Sequence, residues 1–106
     1  LLAGPVNAAP PENSTGQYSD WFRSLKQPGT GTSCCDLSDC RTVRVRSGAQ
    51  GYEALVSKPD FPIEFPLWVA IPDDKIIRGK DNPLGAAVLC WTPSRGVLCF
   101  VQGAGT

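Results

Sequence analysis

The sequence predicts a β-rich α+β domain: one short N-terminal helix packed on a small antiparallel sheet, stapled by disulfides. Three observations predict it. Tyr18, Trp21, Phe22 and Leu25 recur at i, i+3, i+4 and i+7, one face of a helix. The apolar runs that follow are short, alternating or β-type, and bounded by the many glycines (11) and prolines (10). Five cysteines fall into two sets, Cys34, Cys35 and Cys40 in one and Cys90 and Cys99 in the other. In a chain of 106 residues that is a disulfide framework around a single domain.

The elements follow in order. Residues 1–17 read as an extended arm, Pro-rich and weakly hydrophobic at the start. Leu1-Leu2-Ala3-Gly4 has the character of the end of a signal-peptide apolar segment. Val6-Asn7-Ala8 fits the small-x-small cleavage rule, with Ala9 as the mature start. Asn13-Ser14-Thr15 matches the glycosylation pattern, which three residues satisfy readily by chance. The domain proper is expected over 18–106. Ser14 and Gln17 have capping-box spacing before the helix, and Pro28-Gly29 stops it. Residues 29–33 then form a flexible loop leading to the cysteine cluster.

In Arg41-Thr42-Val43-Arg44-Val45-Arg46 the period becomes two. Val43 and Val45 share one face; Thr42, Arg44 and Arg46 share the other. After the turn at 47–51, a second strand at 52–57 should pair with this one as a hairpin. Three prolines in 58–66 bar a central strand there. A short apolar strand at 67–71 ends at Pro72, a turn at 72–75 follows, and Ile76-Ile77 resumes hydrophobic contact. Residues 78–85 are a polar loop. The last unit is a hairpin of 86–91 and 97–102. A four-residue loop at 93–96 puts Cys90 opposite Cys99, whereas a five-residue loop puts Leu89 there. The tail 103–106 should fray.

Bulk composition excludes several classes. Ten basic and ten acidic residues cancel, which gives no pull toward nucleic acid or anionic membrane. No run approaches the roughly eighteen apolar residues of a spanning helix. With no histidine there is no Ser-His or Cys-His pair for nucleophilic catalysis. Asp73-Asp74 is the one adjacent acidic pair. Neighbours in a turn splay apart, so a solvated turn outweighs an acid/base pair, although a small enzyme using these carboxylates remains the second alternative. No glycine-rich phosphate loop stands in a strand–turn–helix context. No catalytic residue and no cofactor are therefore expected. Arg44 and Arg46, with Arg23 and Lys26, form at most a solvated basic strip.

The cysteines admit more than one arrangement. Two bridges between the set Cys34, Cys35, Cys40 and the set Cys90, Cys99 leave one cysteine over. The competitor is a Cys90–Cys99 bridge across the hairpin with a second inside the cluster. The odd cysteine is a buried thiol, an intermolecular link to a twin or another subunit, or a redox thiol. Asp36 and Asp39 beside the cluster disfavour the last, because negative charge raises a thiol's pKa. A metal site at Cys34/Cys35/Cys40 is the first alternative together with redox chemistry. The wide spacing and the lack of histidine weigh against it, and no metal ligand is assigned.

Large aromatic side chains are plentiful for one small domain. Tyr18, Trp21, Phe22, Trp68 and Trp91 are the candidate partner surface; aromatics that the core cannot cover mark contact sites.

Ser33-Cys34-Cys35-Asp36-Leu37-Ser38-Asp39-Cys40, followed by Val88-Leu89-Cys90-Trp91 and Gly96-Val97-Leu98-Cys99-Phe100, resembles a group of uncharacterised small exported proteobacterial proteins. These carry a Cys-Cys-x4-Cys element and a closing two-cysteine hairpin. The resemblance covers about residues 30–101, with 68–72 carried by pattern alone. It implies a periplasmic setting and supplies no activity or substrate. The expected function is a non-catalytic periplasmic or extracellular subunit, exported through a cleaved signal peptide. It would bind another periplasmic protein, or a twin through the odd cysteine, using the arm and the aromatic surface.

Overall fold

Alternation and continuity in the apolar runs report how many faces of each strand are covered. Along Gly51–Val56 burial alternates at the end of the strand: Ala54 and Val56 are buried while Leu55 between them is only half-buried. In Val88–Thr92 the first four residues are a continuous apolar run, and all four are buried. The computed structural model, which describes residues 18–34 and 39–103, puts these two strands at the centres of two separate sheets.

Its elements are α1 (Ser19–Arg23), β1 (Asp39–Thr42), β2 (Val45–Gly48), β3 (Gly51–Val56), β4 (Leu67–Ala70), β5 (Val88–Thr92) and β6 (Gly96–Val101), with a 3-10 turn at Asp73–Lys75. One sheet has the order β1-β5-β6, the other β2-β3-β4, and every pairing within them is antiparallel. The single sheet expected from the sequence is thus two.

The cause is the run 41–46. It is not one strand: pairing breaks at Val43 and Arg44, so its first half joins β5 and its second half joins β3. The crossing is held by backbone bonds on both sides. Val43 N donates to Ala87 O at 2.9 Å, and Leu55 N donates to Arg44 O at 2.9 Å. The hairpin expected between this run and 52–57 does form, as β2 and β3 around the two-residue turn Ala49-Gln50.

Sheet β1-β5-β6 lies between two hydrophobic clusters. On one side Leu89, Trp91, Val97 and Phe100 meet Ala54 and Val56 of the other sheet, with Phe61, Ile71 and Ile76 filling in. Phe61 stands edge-on to Trp91, ring centroids 5.6 Å apart. On the opposite side Val88, Leu98 and Val101 pack with Phe22 and Leu25. We call β1-β5-β6 the inner sheet and β2-β3-β4 the outer sheet.

The helix expected over 18–25 is short. Phe22 and Leu25 are buried, while Tyr18 and Trp21 are half-buried against the same cluster. The Ser14/Gln17 capping box lies outside the described residues, as do the arm and most of the tail. Residues 29–33, expected to be flexible, close a small ladder instead. Gln27 N donates to Thr32 O at 2.8 Å and Cys34 N to Leu25 O at 3.0 Å, with Lys26 and Ser33 bridged.

The C-terminal hairpin has a shorter loop than either expectation, yet keeps Cys90 opposite Cys99. Its loop has three residues, with Thr92 opposite Gly96 and Trp91 opposite Val97. Gly96 at φ +73° supplies the left-handed conformation that closes such a loop. A bulge then restores the Cys90–Cys99 pairing and leaves Leu98 as the extra residue on β6. Leu98 and Cys99, neighbours in sequence, consequently join the same cluster.

Candidate functional site

The cysteines are the first candidate. Register places Cys40, Cys90 and Cys99 side by side across β1, β5 and β6. Cys40 is bridged to Cys90, Cα atoms 4.0 Å apart. Cys99 is bridged instead to Cys34, which arrives from the helix side, Cα atoms 6.1 Å apart. The two bridges therefore join the early set to the late set, and the competing Cys90–Cys99 bridge is not made although those residues are register partners. All four bridged cysteines are buried. They use every other cysteine in the chain, so none remains for Cys35. Cys35 itself lies outside the described residues. With Cys34 and Cys40 bonded as disulfides, their sulfurs are structural here.

The aromatic candidates separate by burial. Phe22 and Trp91 are 4% and 6% exposed and offer no surface, a correction to the sequence expectation. Phe22 turns to the helix-side cluster and Trp91 to the space between the sheets, where Phe61 covers it. Tyr18 and Trp21 are half-buried, and Trp21 Nε1 donates to Asp81 O at 2.6 Å, which fixes the indole against the 78–85 loop. Trp68 is half-buried on the solvent face of the outer sheet. There the Arg46 guanidinium lies over its ring at 4.1 Å and also donates to Glu53 at 2.7 Å.

Two large apolar residues that the sequence reading passed over are the exposed ones. Phe65 is 74% exposed and Leu67 51%. Their signal was faint: the Pro-rich stretch contains Phe61 and Phe65, and only tertiary structure decides that the first enters the core. Leu67 opens β4, the outer sheet's margin, and Phe65 lies two residues before it.

The polar groups of this margin follow from the hydrogen-bond alternation. Leu55 N donates toward β2, and Ile71 N donates to Tyr52 O at 2.9 Å toward β3. Tyr52, Ala54 and Val56 therefore turn their backbone groups to Ile71, Val69 and Leu67. The N–H and C=O groups of Trp68 and Ala70 point the other way. Among the described residues no strand lies along that edge. An open strand edge beside exposed apolar side chains is the chemistry by which one polypeptide adds a strand to another.

Asp73 and Asp74 lie in the 3-10 turn, both exposed. Asp73 accepts from the Arg78 guanidinium at 2.7 Å and borders an open groove of about 400 Å³ that Tyr52, Ile71, Arg78 and Gln102 also line. The Tyr52 hydroxyl accepts from Gln102 Nε2 at 2.8 Å. The groove's side-chain groups thus bond to one another. Asp74 does not line it. Arg44 and Arg46 are exposed, as the alternation predicts. Among the described residues no helix is long and apolar enough to cross a membrane.

No protein-family model matches the chain, and neither a curated protein nor a solved structure matches it.

Proposed function

We propose that the protein is a non-catalytic accessory or small structural subunit that binds another protein in the periplasm or outside the cell. The observation that carries this reading is the β4 margin, where Phe65 and Leu67 stand exposed beside backbone groups that no described residue pairs. Exposed apolar side chains next to an open edge lose water on contact and gain main-chain hydrogen bonds at the same time. Trp68 supplies an aromatic contact at the same place, and the arm 1–17 is the second contact region. Two buried disulfides support an oxidising compartment, and export through a cleaved signal peptide accounts for arrival there.

The test is affinity capture from the native envelope with the wild-type chain, a chain lacking residues 1–17, and Phe65→Ser/Leu67→Ser. A defined protein should be retained by the wild type and lost with the double substitution. Retention of no protein, or retention indifferent to both changes, overturns the reading.

A further inference from the structure

We propose that the β4 edge pairs with β4 of a second copy of this chain, antiparallel about a two-fold axis through Val69. The inference rests on the binding role given to this margin and names its partner.

The edge is self-complementary about Val69. Read outward from that residue, Pro66-Leu67-Trp68-Val69-Ala70-Ile71-Pro72 has a flanking proline at each end. Leu67 and Ile71 then match one another in kind. Trp68 and Ala70 form a large and small pair. A two-fold axis at Val69 sets each Trp68 opposite the other chain's Ala70, where the methyl side chain leaves room for the indole. Isologous contacts of this type need each patch to complement itself.

The backbone fits the same axis. Trp68 and Ala70 are the residues whose N–H and C=O groups face outward. In the proposed register they oppose one another, so each such pair exchanges both of its bonds. A shift of one residue would set outward groups of one chain against inward-bonded groups of the other.

Charge agrees as well. A two-fold axis brings a residue near its own copy, so a charged strand repels itself. Residues 65–72 carry no charge. By contrast the opposite margin of the same sheet, β2, carries Arg46, with Arg44 just before it.

The prolines set the extent. Pro66 and Pro72 fall on the outward-facing positions of the strand and have no N–H to donate. Three residues from the centre on each side, they end the ladder. Pairing is thereby limited to a short, closed dimer rather than an open-ended stack. Leu67, 51% exposed in one copy, would be covered beside Ile71 of the other.

The test is amide hydrogen exchange and light scattering on the full chain between roughly 10 μM and about 1 mM, where mass action drives pairing. Trp68 and Ala70 amides should slow by about tenfold or more as dimer forms, while Leu67 and Val69 amides, bonded within the sheet, should not change. Ala70→Pro removes an outward donor that β3 does not use. It should leave a folded monomer, checked by unchanged protection at Leu67 and Val69. If that variant fails to fold, Trp68→Ala serves in its place and should weaken the dimer by about tenfold. A monomer throughout the range overturns the dimer, as does a dimer whose Trp68 and Ala70 amides stay unprotected. Concentration-independent protection lost on deleting residues 1–17 also overturns it, assigning the edge to the chain's own arm. The wider binding role fails separately, if envelope capture with Phe65→Ser/Leu67→Ser equals wild type.

Discussion

The inner and outer sheets have the same strand count and the same antiparallel pairing, but they serve different ends. The inner sheet is covered on both faces, and all six residues of β6 except Gly96 are buried. The outer sheet is covered on one face, and β4 has no buried residue. Both disulfides end on the inner sheet, and none touches the outer one. The difference locates stability in the layer between the two clusters and leaves the outer layer's solvent face and margin free for contact. It also explains why the bridged cysteines are poor candidates for chemistry: all four are buried and tied up in disulfides at the inner sheet.

The largest expected effect comes from the bridges. In the chain-entropy account either bridge alone, closing 65 or 50 residues, is worth about 4 kcal/mol. The loops are nested, however. Once one bridge is present the second closes a ring made only of 34–40 and 90–99, about fifteen residues, worth about 3 kcal/mol. Removing either pair to alanine should thus cost about 3 kcal/mol, and removing both about 7, so the last bridge lost costs more than the first. Urea unfolding of the two double variants and the quadruple variant measures this. Equal, strictly additive losses would show that the account through unfolded-chain entropy fails here.

Next come two side chains, one from each sheet, differing in which face of its sheet each occupies. Phe100 on β6 is fully buried between the layers, and Phe100→Ala should cost about 3–5 kcal/mol. Leu55 lies on the central strand of the outer sheet but on its solvent side, only half-buried. Leu55→Ala should cost about 1 kcal/mol, in line with the smaller apolar area withdrawn from water. Thermal or urea melts of the pair settle whether the asymmetry between sheets is as large as burial implies. Similar losses would place the outer sheet's solvent face inside an interface.

Gly96 tests the hairpin that completes the inner sheet. Nothing lies within 4 Å of a Cβ added there, so Gly96→Ala pays only for the left-handed backbone at φ +73°. That is about 1–2 kcal/mol. Gly96→Asn should cost less, because asparagine tolerates this conformation. If alanine and asparagine cost the same in denaturant melts, the loop has moved to another turn.

How much of this was legible in sequence depends on the kind of residue. The β-type runs at 52–57 and 86–91 were legible as strands, but not as the centres of two separate sheets. The two-set cysteine pattern offered bridging between the sets alongside a local competitor, and the structure makes the bridges between the sets. The pairing within the sets was not legible: Cys90 and Cys99 are adjacent across the hairpin, and only the approach of Cys34 from the helix side and Cys40 from β1 draws them apart. The run 41–46 looked like one strand because alternation continues through Val43 and Arg44 even as the chain changes sheets. Trp91 and Phe22 looked like surface because a single aromatic does not announce what covers it. Leu67 was read as ordinary strand interior, since edge position is a property of sheet order, not of the strand. The margin is therefore the part of the molecule that the sequence described least.

The smallest expected effect bears most directly on that margin. Arg46 reaches from β2 across the solvent face of the outer sheet, bonding Glu53 and lying 4.1 Å from the centre of the Trp68 ring. Its side chain is 52% exposed, so the ion pair alone should contribute well under about 1 kcal/mol. The stacked guanidinium on Trp68 should contribute about 0.5–1 kcal/mol. A double-mutant cycle of Arg46→Ala with Trp68→Leu isolates the second part from the first. The coupling should persist in about 1 M salt, where an exposed ion pair is screened away. Arg46→Lys should lose most of it, because an ammonium does not reproduce the flat stacking of a guanidinium. A coupling that disappears with salt would mean that Glu53, not the indole, holds Arg46 in place. Trp68 would then be free to turn on the sheet face, and its fit against a neighbouring strand would have to be formed on contact rather than offered in advance.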